Sequence, residues 1–230
     1  DGKVQELQAK NIIIATGAFS ASIPGVTVDG EKIVSYQEAI LQEKRPQSVV
    51  IIGAGAIGME FATVWSGYGS QVTIVEMLPR VLPLEDEEVS AELAKAFKKR
   101  GVQILTGHKV QSVQATETGV KVVVSADGQE TTLEADQALM AIGFKPNSLN
   151  LGLEEVGVEL TERKFIKINE KMQTSVPNIF AIGDVTGQLL LAHVASAMGI
   201  VAAETIAGVE TVTLDYRMMP RATYCQPQVA

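Results

Sequence analysis

The sequence predicts an α/β fold, in which a small antiparallel β-meander is inserted into a parallel sheet. Short apolar, β-rich runs alternate with helical patterns, as at Ser48–Ile52, residues 56–68 and residues 71–75. Continuous apolar strands separated by helices are typical of a parallel sheet that is covered on both faces. Between residues 110 and 133 the runs are joined by turn-rich pieces, and Asp127-Gly128 is a strong hairpin signal, which predicts the meander.

The same patterns place the remaining elements. The helix predicted at residues 86–100 begins acidic and ends basic, which complements its own dipole. A helix predicted at about 189–207 is apolar nearly all round, which indicates burial within a larger body, and Gly208 ends it. Further strands are predicted at residues 9–14, 102–105, 110–115, 119–125, 130–133, within 135–143 and at 178–182.

Composition argues against several classes of function. The 230 residues carry a net charge of −8, whereas a nucleic-acid partner needs a concentrated positive footprint. The single cysteine, Cys225, allows no disulfide framework and no paired-cysteine metal site, so we predict no metal and a reducing, cytoplasmic setting. No apolar run approaches the ~20 residues of a membrane span, and the polar start DGKVQELQAK does not resemble a signal peptide.

The segment GAGAIG follows the strand Ser48–Ile52 and opens a helix, which predicts a dinucleotide site. Gly53 permits the tight turn, Gly55 lacks the Cβ that would hold a pyrophosphate away, and Gly58 lets the helix pack closely. The N-terminus of the helix offers unpaired N–H groups to the phosphates. The alternative is a tight strand-to-helix turn without a ligand. The predicted contacts with NAD from this loop are Gly53, Ala54, Gly55, Ala56, Ile57 and Gly58.

Glu76 ends the next strand, where an acid can accept hydrogen bonds from the hydroxyls of the adenosine ribose. A carboxylate there would repel a 2′-phosphate, so we predict NAD rather than NADP. Arg80 is the nearby cation that could favour NADP instead, although Leu78 and Pro79 intervene. Glu60, one turn into the helix, could face the nicotinamide or lie in solvent, and the sequence leaves both open.

Three further phrases accompany this loop: KNIIIATG (10–17), MAIGFKPN (140–147) and TSVPNIFAIGDVTGQLLLAHVASAMG (174–199). In this order they resemble the flavoprotein pyridine nucleotide-disulfide oxidoreductases, and most closely the dihydrolipoamide dehydrogenases among them. The resemblance covers essentially the whole chain and implies both NAD and FAD as cofactors. It implies FAD contacts at Ala15, Thr16, Gly17, Asp184 and Ala192, and further NAD contacts at Val110 and Gly143.

The resemblance also implies an order of domains. Residues 1–40 would end a first segment of the FAD domain, and 41–145 would form a Rossmann-like NAD-binding domain. Residues 146–215 would return to the FAD domain, and 216–230 would begin a dimerisation domain. The full-length parent would be a homodimer that oxidises dihydrolipoamide within a 2-oxoacid dehydrogenase complex.

Two departures from the family pattern limit the activity expected of this chain. The redox-active disulfide, in a Cys-x-x-x-x-Cys pattern, and the His/Glu pair of the family are missing from these residues. Cys225 alone cannot support a dithiol cycle and is interpreted as a small buried hydrophobe. His193 is not assigned as a base, because the family takes its base from another segment, and a surface role is expected for His108. We therefore expect no catalytic residue, an incomplete FAD site, and a central fragment that binds NAD without dehydrogenase turnover.

Other interpretations stay open. The same portion of a glutathione, mercuric or coenzyme A disulfide reductase, or of an NADH oxidase, would share these phrases. A non-catalytic dinucleotide-binding module, or a folded fragment without a function of its own, would share the glycine loop.

Overall fold

The computed structural model describes residues 4–230. In chain order the strands are β1 (Ile12–Ile14), β2 (Ala18–Ser20), β3 (Ile33–Val34), β4 (Ser48–Ile52), β5 (Gln71–Glu76), β6 (Gln103–Thr106), β7 (Lys109–Ala115), β8 (Val120–Ala126), β9 (Gln129–Ala135), β10 (Gln137–Met140), β11 (Phe144–Pro146) and β12 (Ile179–Ala181). The α-helices are α1 (Tyr36–Ile40), α2 (Ala56–Gly67), α3 (Glu87–Lys99) and α4 (Ala192–Ala207), and short 3₁₀ turns lie at Gly183–Thr186 and Tyr216–Met218. No helix among these is long and apolar enough to cross a membrane.

The chain divides into two compact units, which are described separately. The sheet unit consists of residues 20–143 and 221–230, and the second unit consists of residues 4–19 and 144–220 within the described part.

A five-stranded sheet in the order β3-β10-β4-β5-β6 forms the centre of the sheet unit. All four strand pairs are parallel. Every residue of β10 is buried, as is expected of a central strand that is covered on both faces. The prediction of an α/β fold with a parallel sheet is confirmed.

Helix α3 shows how the local sequence fixes an element of this unit. The carboxylate of Asp86 accepts hydrogen bonds from the N–H groups of Glu88 and Val89 at 2.8 and 3.2 Å, which caps the helix. Acidic residues occupy its first turn and lysines its last, as the dipole favours. Leu93 and Phe97 are buried in the core beside the sheet.

The predicted antiparallel meander is present as β7-β8-β9 in the sheet unit. Asp127 and Gly128 have φ values of 51° and 77°, which suit the two central positions of a tight hairpin turn. Every second residue of β8 from its start is a valine buried in the core: Val120, Val122 and Val124.

In the second unit, β1 and β12 pair in parallel, with Ile13 opposite Phe180. Helix α4 begins at Ala192, three residues later than the sequence predicts, because the backbone of Leu191 is extended (φ −135°, ψ 138°). Gly208 adopts the left-handed conformation and ends the helix, as predicted. Within this unit Ile200 is 58% exposed while Val194 is fully buried, and burial of the whole helix within a larger body stays a prediction.

The sheet unit does not coincide with residues 41–145: its main segment consists of residues 20–143, and residues 221–230 join it. Strand β3 pairs with β10, so residues from Ser20 onwards join the sheet unit rather than the second unit. At the other end, Cys225 and Val229 are buried in the same core as Ile51 and Ile74. Sequence reasoning missed both extensions, because a two-residue strand and a buried C-terminal loop carry no periodicity.

Candidate dinucleotide site

The glycine loop connects the carboxyl end of β4 to α2 in the sheet unit. Gly53 has a φ of +106°, and a Cβ on it would lie 2.3 Å from the carbonyl oxygen of Ala141. A Cβ on Gly58 would lie 2.0 Å from the carbonyl oxygen of Gly53. Both positions therefore require glycine for steric reasons, the first for the turn and the second for the approach of the helix.

Gly55 differs from these two glycines, because a Cβ on it would meet nothing within 4 Å. Its φ of −74° suits any residue, so neither packing nor backbone strain requires glycine here. Gly55 is also the N-cap of α2, and this helix has no side-chain cap. The first turn of α2 therefore presents N–H groups that an anion can bind, and only a very small residue leaves the approach to them open.

Glu76 lies at the end of β5, next to the glycine loop, and is only 9% exposed. Its Oε2 accepts a hydrogen bond from the N–H of Ala54 at 2.7 Å, and its Oε1 accepts one from the N–H of Leu78 at 2.8 Å. A carboxylate offers about four acceptor positions. Two therefore remain for further donors such as ribose hydroxyls. The sequence predicted the position of this acid but not its bond to the glycine loop.

The loop after β5 also holds the carbonyl group of Ala54. The N–H of Leu82 donates to this carbonyl at 2.8 Å, and the Ser90 hydroxyl donates to the carbonyl of Leu82 at 3.2 Å. Leu82 has a φ of 43° and is 3% exposed. The sequence did not indicate a role for Leu82, because a leucine in the left-handed region leaves no pattern in a sequence.

Arg80 is bound within its own loop. Its Nη2 donates to the carbonyls of Pro83 at 3.2 Å and Glu85 at 3.5 Å, and its Nη1 lies 3.7 Å from the Glu87 carboxylate. Its buried Nε has no hydrogen-bond partner within residues 4–230. The guanidinium thus already has partners other than a 2′-phosphate.

The other predicted NAD contacts lie in the same unit but in different settings. The Glu60 carboxylate, in α2, accepts a hydrogen bond from the N–H of Tyr224 at 2.8 Å, which is a partner that the sequence did not suggest. Val110 lies beside a bulge in β7 and packs half-buried against the core. Gly143 is exposed with a φ of +110°, and its carbonyl accepts from the N–H of Ala21 at 2.8 Å.

The residues predicted to contact FAD lie in the second unit, and Asn147 holds the turn that contains three of them, Ala15 to Gly17. The Thr16 hydroxyl donates to the carbonyl of Asn147 at 2.6 Å, and the Asn147 side chain donates to the carbonyl of Thr16 at 3.0 Å. The Asn147 N–H also donates to the carbonyl of Gly17 at 2.9 Å. Asn147 was not assigned a role from the sequence, although it ends one of the phrases that carry the family resemblance.

Asp184 and Ala192 are the other two residues predicted to contact FAD. Asp184 lies in the 3₁₀ turn Gly183–Thr186, shortly after β12. Burial raises the pKa of its carboxyl group, and no hydrogen bond from residues 4–230 offsets that effect. Ala192 is the first residue of α4, a helix without a side-chain cap. The Asp184 carboxylate can accept hydrogen bonds from hydroxyl groups of a ligand, and the N-terminus of α4 can donate N–H groups to acceptor oxygens.

The histidines and the cysteine are bonded in ways that do not suggest catalysis. The Nε2 of His193 lies 2.9 Å from the carbonyl oxygen of Pro220, and the Nδ1 of half-buried His108 lies 2.7 Å from that of Thr106. Cys225 is 3% exposed, and burial raises the pKa of its thiol, which confirms its interpretation as a buried hydrophobe. Within the described residues, no three His, Cys, Asp or Glu side chains are grouped as a metal site would require.

Comparison with known proteins identifies the family. The family model described as "Pyridine nucleotide-disulphide oxidoreductase" matches residues 1–199. The chain belongs to this family. Two named relatives from the pyridine nucleotide-disulphide oxidoreductases are similar over nearly the whole chain. The dihydrolipoyl dehydrogenase of Mycobacterium leprae is 57% identical over 96% of this chain and 47% of that protein. That of Mycobacterium tuberculosis strain H37Rv is 53% identical over 100% of this chain and 50% of that protein.

Two solved structures share the fold. LpdA from Mycobacterium tuberculosis matches with a TM-score of 0.92 and 32% identity, over 99% of this chain and 49% of that one. The flavoprotein disulfide reductase RclA from Escherichia coli matches with a TM-score of 0.87 and 26% identity, over 96% of this chain and 51% of that one. The chain thus spans about half the length of the relatives it matches.

Proposed function

We propose that the sheet unit binds NAD or NADH through the glycine loop. The observation that carries this proposal is the open side of Gly55, which has no steric reason to be glycine and lies over the uncapped N-terminus of α2. The pyrophosphate would lie there, bound by N–H groups of the loop and of the first turn, from Gly53 to Gly58. Glu60, Val110 and Gly143 complete the proposed set of contacts.

Two features support NAD rather than NADP. The Glu76 carboxylate would accept hydrogen bonds from the ribose hydroxyls and repel a 2′-phosphate. Arg80, the cation that could have neutralised a 2′-phosphate, is bonded to carbonyl groups of its own loop.

For the longer protein of which this chain forms a part, we propose the activity of a dihydrolipoyl dehydrogenase, with FAD and NAD as cofactors. The identity of 53–57% to proteins of that name supports this proposal. The cofactors would carry the electrons, and the residues of this chain would bind and orient them. In the second unit, the carboxylate of Asp184 would accept a hydrogen bond from a hydroxyl of FAD. Ala15, Thr16, Gly17 and Ala192 would be the other contacts with FAD. A homodimer, a 2-oxoacid dehydrogenase complex as partner and a reducing, cytoplasmic location belong to the same proposal.

A second candidate is another flavin-dependent disulfide reductase. The structural match to RclA, at a TM-score of 0.87, supports it, because the shared fold does not depend on the disulfide substrate. The two candidates share the NAD site and differ in the substrate of the longer protein.

NADH binding and lipoamide-dependent reduction of NAD can be tested separately on this chain. A dithiol cycle needs two cysteines and the chain has one, so we expect NADH binding without lipoamide-dependent reduction of NAD. The test measures NADH binding by fluorescence and NAD reduction by absorbance at matched protein concentrations. Binding without turnover supports the proposal, and turnover by the 230-residue chain would contradict it.

A further inference from the structure

We propose that Glu76 is a positioning residue for the glycine loop, in addition to its proposed role as ribose acceptor. The consequence for nucleotide affinity rests on the proposed NAD function. The contact itself belongs to the chain without nucleotide and can be tested separately.

The contact continues the pairing of two strands beyond their ends. Backbone pairing between β4 and β5 ends where the N–H of Gly53 donates to the carbonyl of Val75 at 2.8 Å. One residue further, Ala54 faces no backbone acceptor on β5, and the side chain of Glu76 takes that role at 2.7 Å. Since its other oxygen accepts the N–H of Leu78 at 2.8 Å, the carboxylate joins the loops that follow two neighbouring strands.

Both peptide groups of Ala54 are consequently fixed. Its N–H is bonded to Glu76 and its carbonyl to the N–H of Leu82, and the residue is fully buried. Fixing these two peptide planes sets the direction of the chain at Gly55, where the proposed phosphate site begins. Donors that are oriented before the ligand arrives lose less entropy on binding, so this arrangement should raise the affinity for any pyrophosphate ligand.

This role makes a different prediction from ribose recognition. A carboxylate that only bound the ribose would affect only ligands that carry the 2′- and 3′-hydroxyls. A carboxylate that positions the loop also affects a ligand without those hydroxyls, and it affects the loop when no ligand is present.

The test compares Glu76→Gln with a matched control, Asp136→Asn. Glutamine keeps the size of the side chain but removes its charge and replaces one acceptor by a donor. The N–H of Ala54 then either loses its partner or keeps only a weaker, neutral hydrogen bond. Asp136 also accepts from two backbone donors, the N–H groups of Gln47 and Ser48 at 2.7 and 3.2 Å, but through Oδ2 alone, at the amino end of β4 and away from the loop. The same chemical change is thus made at the two ends of one strand.

The first measurement is hydrogen exchange of the Ala54 amide without nucleotide. We expect protection in the unsubstituted chain, exchange about tenfold faster in Glu76→Gln, equivalent to ~1.4 kcal/mol, and no change at Ala54 in Asp136→Asn. Should Glu76→Gln fail to fold, the unsubstituted chain still decides the matter. An Ala54 amide that exchanges there as fast as unprotected loop amides would overturn the proposal.

The second measurement is the affinity for 2′,3′-dideoxyadenosine 5′-diphosphate, a pyrophosphate ligand without ribose hydroxyls. We expect Glu76→Gln to weaken this affinity by about tenfold and Asp136→Asn to leave it unchanged. Loss of NADH affinity with unchanged affinity for this probe would reduce Glu76 to a ribose contact and overturn the proposal. If the unsubstituted chain bound neither ligand, the NAD proposal would fail, while the exchange of Ala54 would still decide the positioning role.

Discussion

The carboxylate of Glu60 in α2 accepts a hydrogen bond from the backbone N–H of Tyr224 at 2.8 Å. Tyr224 belongs to residues 221–230, the last part of the sheet unit, in which Cys225 and Val229 are buried in the core. The hydrogen bond therefore fastens this segment to the helix that begins at the glycine loop.

We expect Glu60→Ala to loosen residues 221–230. The substitution leaves the N–H of Tyr224 without its protein partner, and because the bond is exposed to water the cost should be modest, about 0.5–1 kcal/mol of unfolding free energy. Denaturant unfolding measures that cost, and hydrogen exchange of the Tyr224 amide should become faster. The control is Glu92→Ala, since Glu92 makes only an exposed 3.3 Å pair with Lys95. Equal effects of the two substitutions at Tyr224 would contradict the contact.

Gly55→Ala should separate nucleotide binding from stability. A Cβ at Gly55 meets open space and the φ of −74° suits alanine, so we expect the unfolding free energy to change by less than about 1 kcal/mol. The methyl group would nevertheless occupy the proposed pyrophosphate position, so NADH affinity should fall at least about tenfold. Titration calorimetry and denaturant unfolding of the same protein measure both quantities.

Gly58→Ala, unlike Gly55→Ala, should lower the unfolding free energy strongly. A Cβ there would lie 2.0 Å from the carbonyl oxygen of Gly53, so we expect destabilisation of about 1–3 kcal/mol or more from overpacking. If Gly55→Ala destabilised the chain as much as Gly58→Ala and left NADH affinity intact, the assignment of Gly55 to ligand binding would be wrong.

Asp184→Asn should stabilise the chain at neutral pH. Burial raises the pKa of the Asp184 carboxyl group above its ordinary value of 3.8, so the folded state holds the proton more tightly than the unfolded state. Stability of the unsubstituted chain must then fall as the pH rises from that ordinary value through the raised one, and asparagine removes this loss. Thermal unfolding between acid and neutral pH measures the difference. If the stability gained by Asp184→Asn did not shrink towards low pH, the charge of the Asp184 carboxylate would not be the cause of the gain.

Much of the fold could be predicted because its signals are local. The strand Ser48–Ile52 is apolar after its first residue, Gln71–Glu76 is rich in β-branched residues, and Asp127-Gly128 has the chemistry of a tight turn. Strand β3 gave no such signal, because two residues cannot show a period, and its place is set by pairing with the distant β10.

The placement of the glycine loop and of Glu76 at the ends of β4 and β5 could be predicted from the sequence, but the contacts between them could not. The spacing of the glycines and the distance to Glu76 follow from the chemistry of a dinucleotide loop. The bonds from Ala54 to Glu76 and Leu82 join residues that are 22 and 28 positions apart, and they depend on how two loops pack. The hydrogen bond between Glu60 and Tyr224 joins residues 164 positions apart, and it likewise depends on how distant segments pack.

The proposed binding of NAD through the glycine loop and Glu76 is tested by calorimetric titration of the 230-residue chain with NADH and with NADPH at one pH and one ionic strength. We expect saturable heat with NADH and at least about tenfold weaker binding of NADPH. No heat from either nucleotide, or a preference for NADPH, would contradict it.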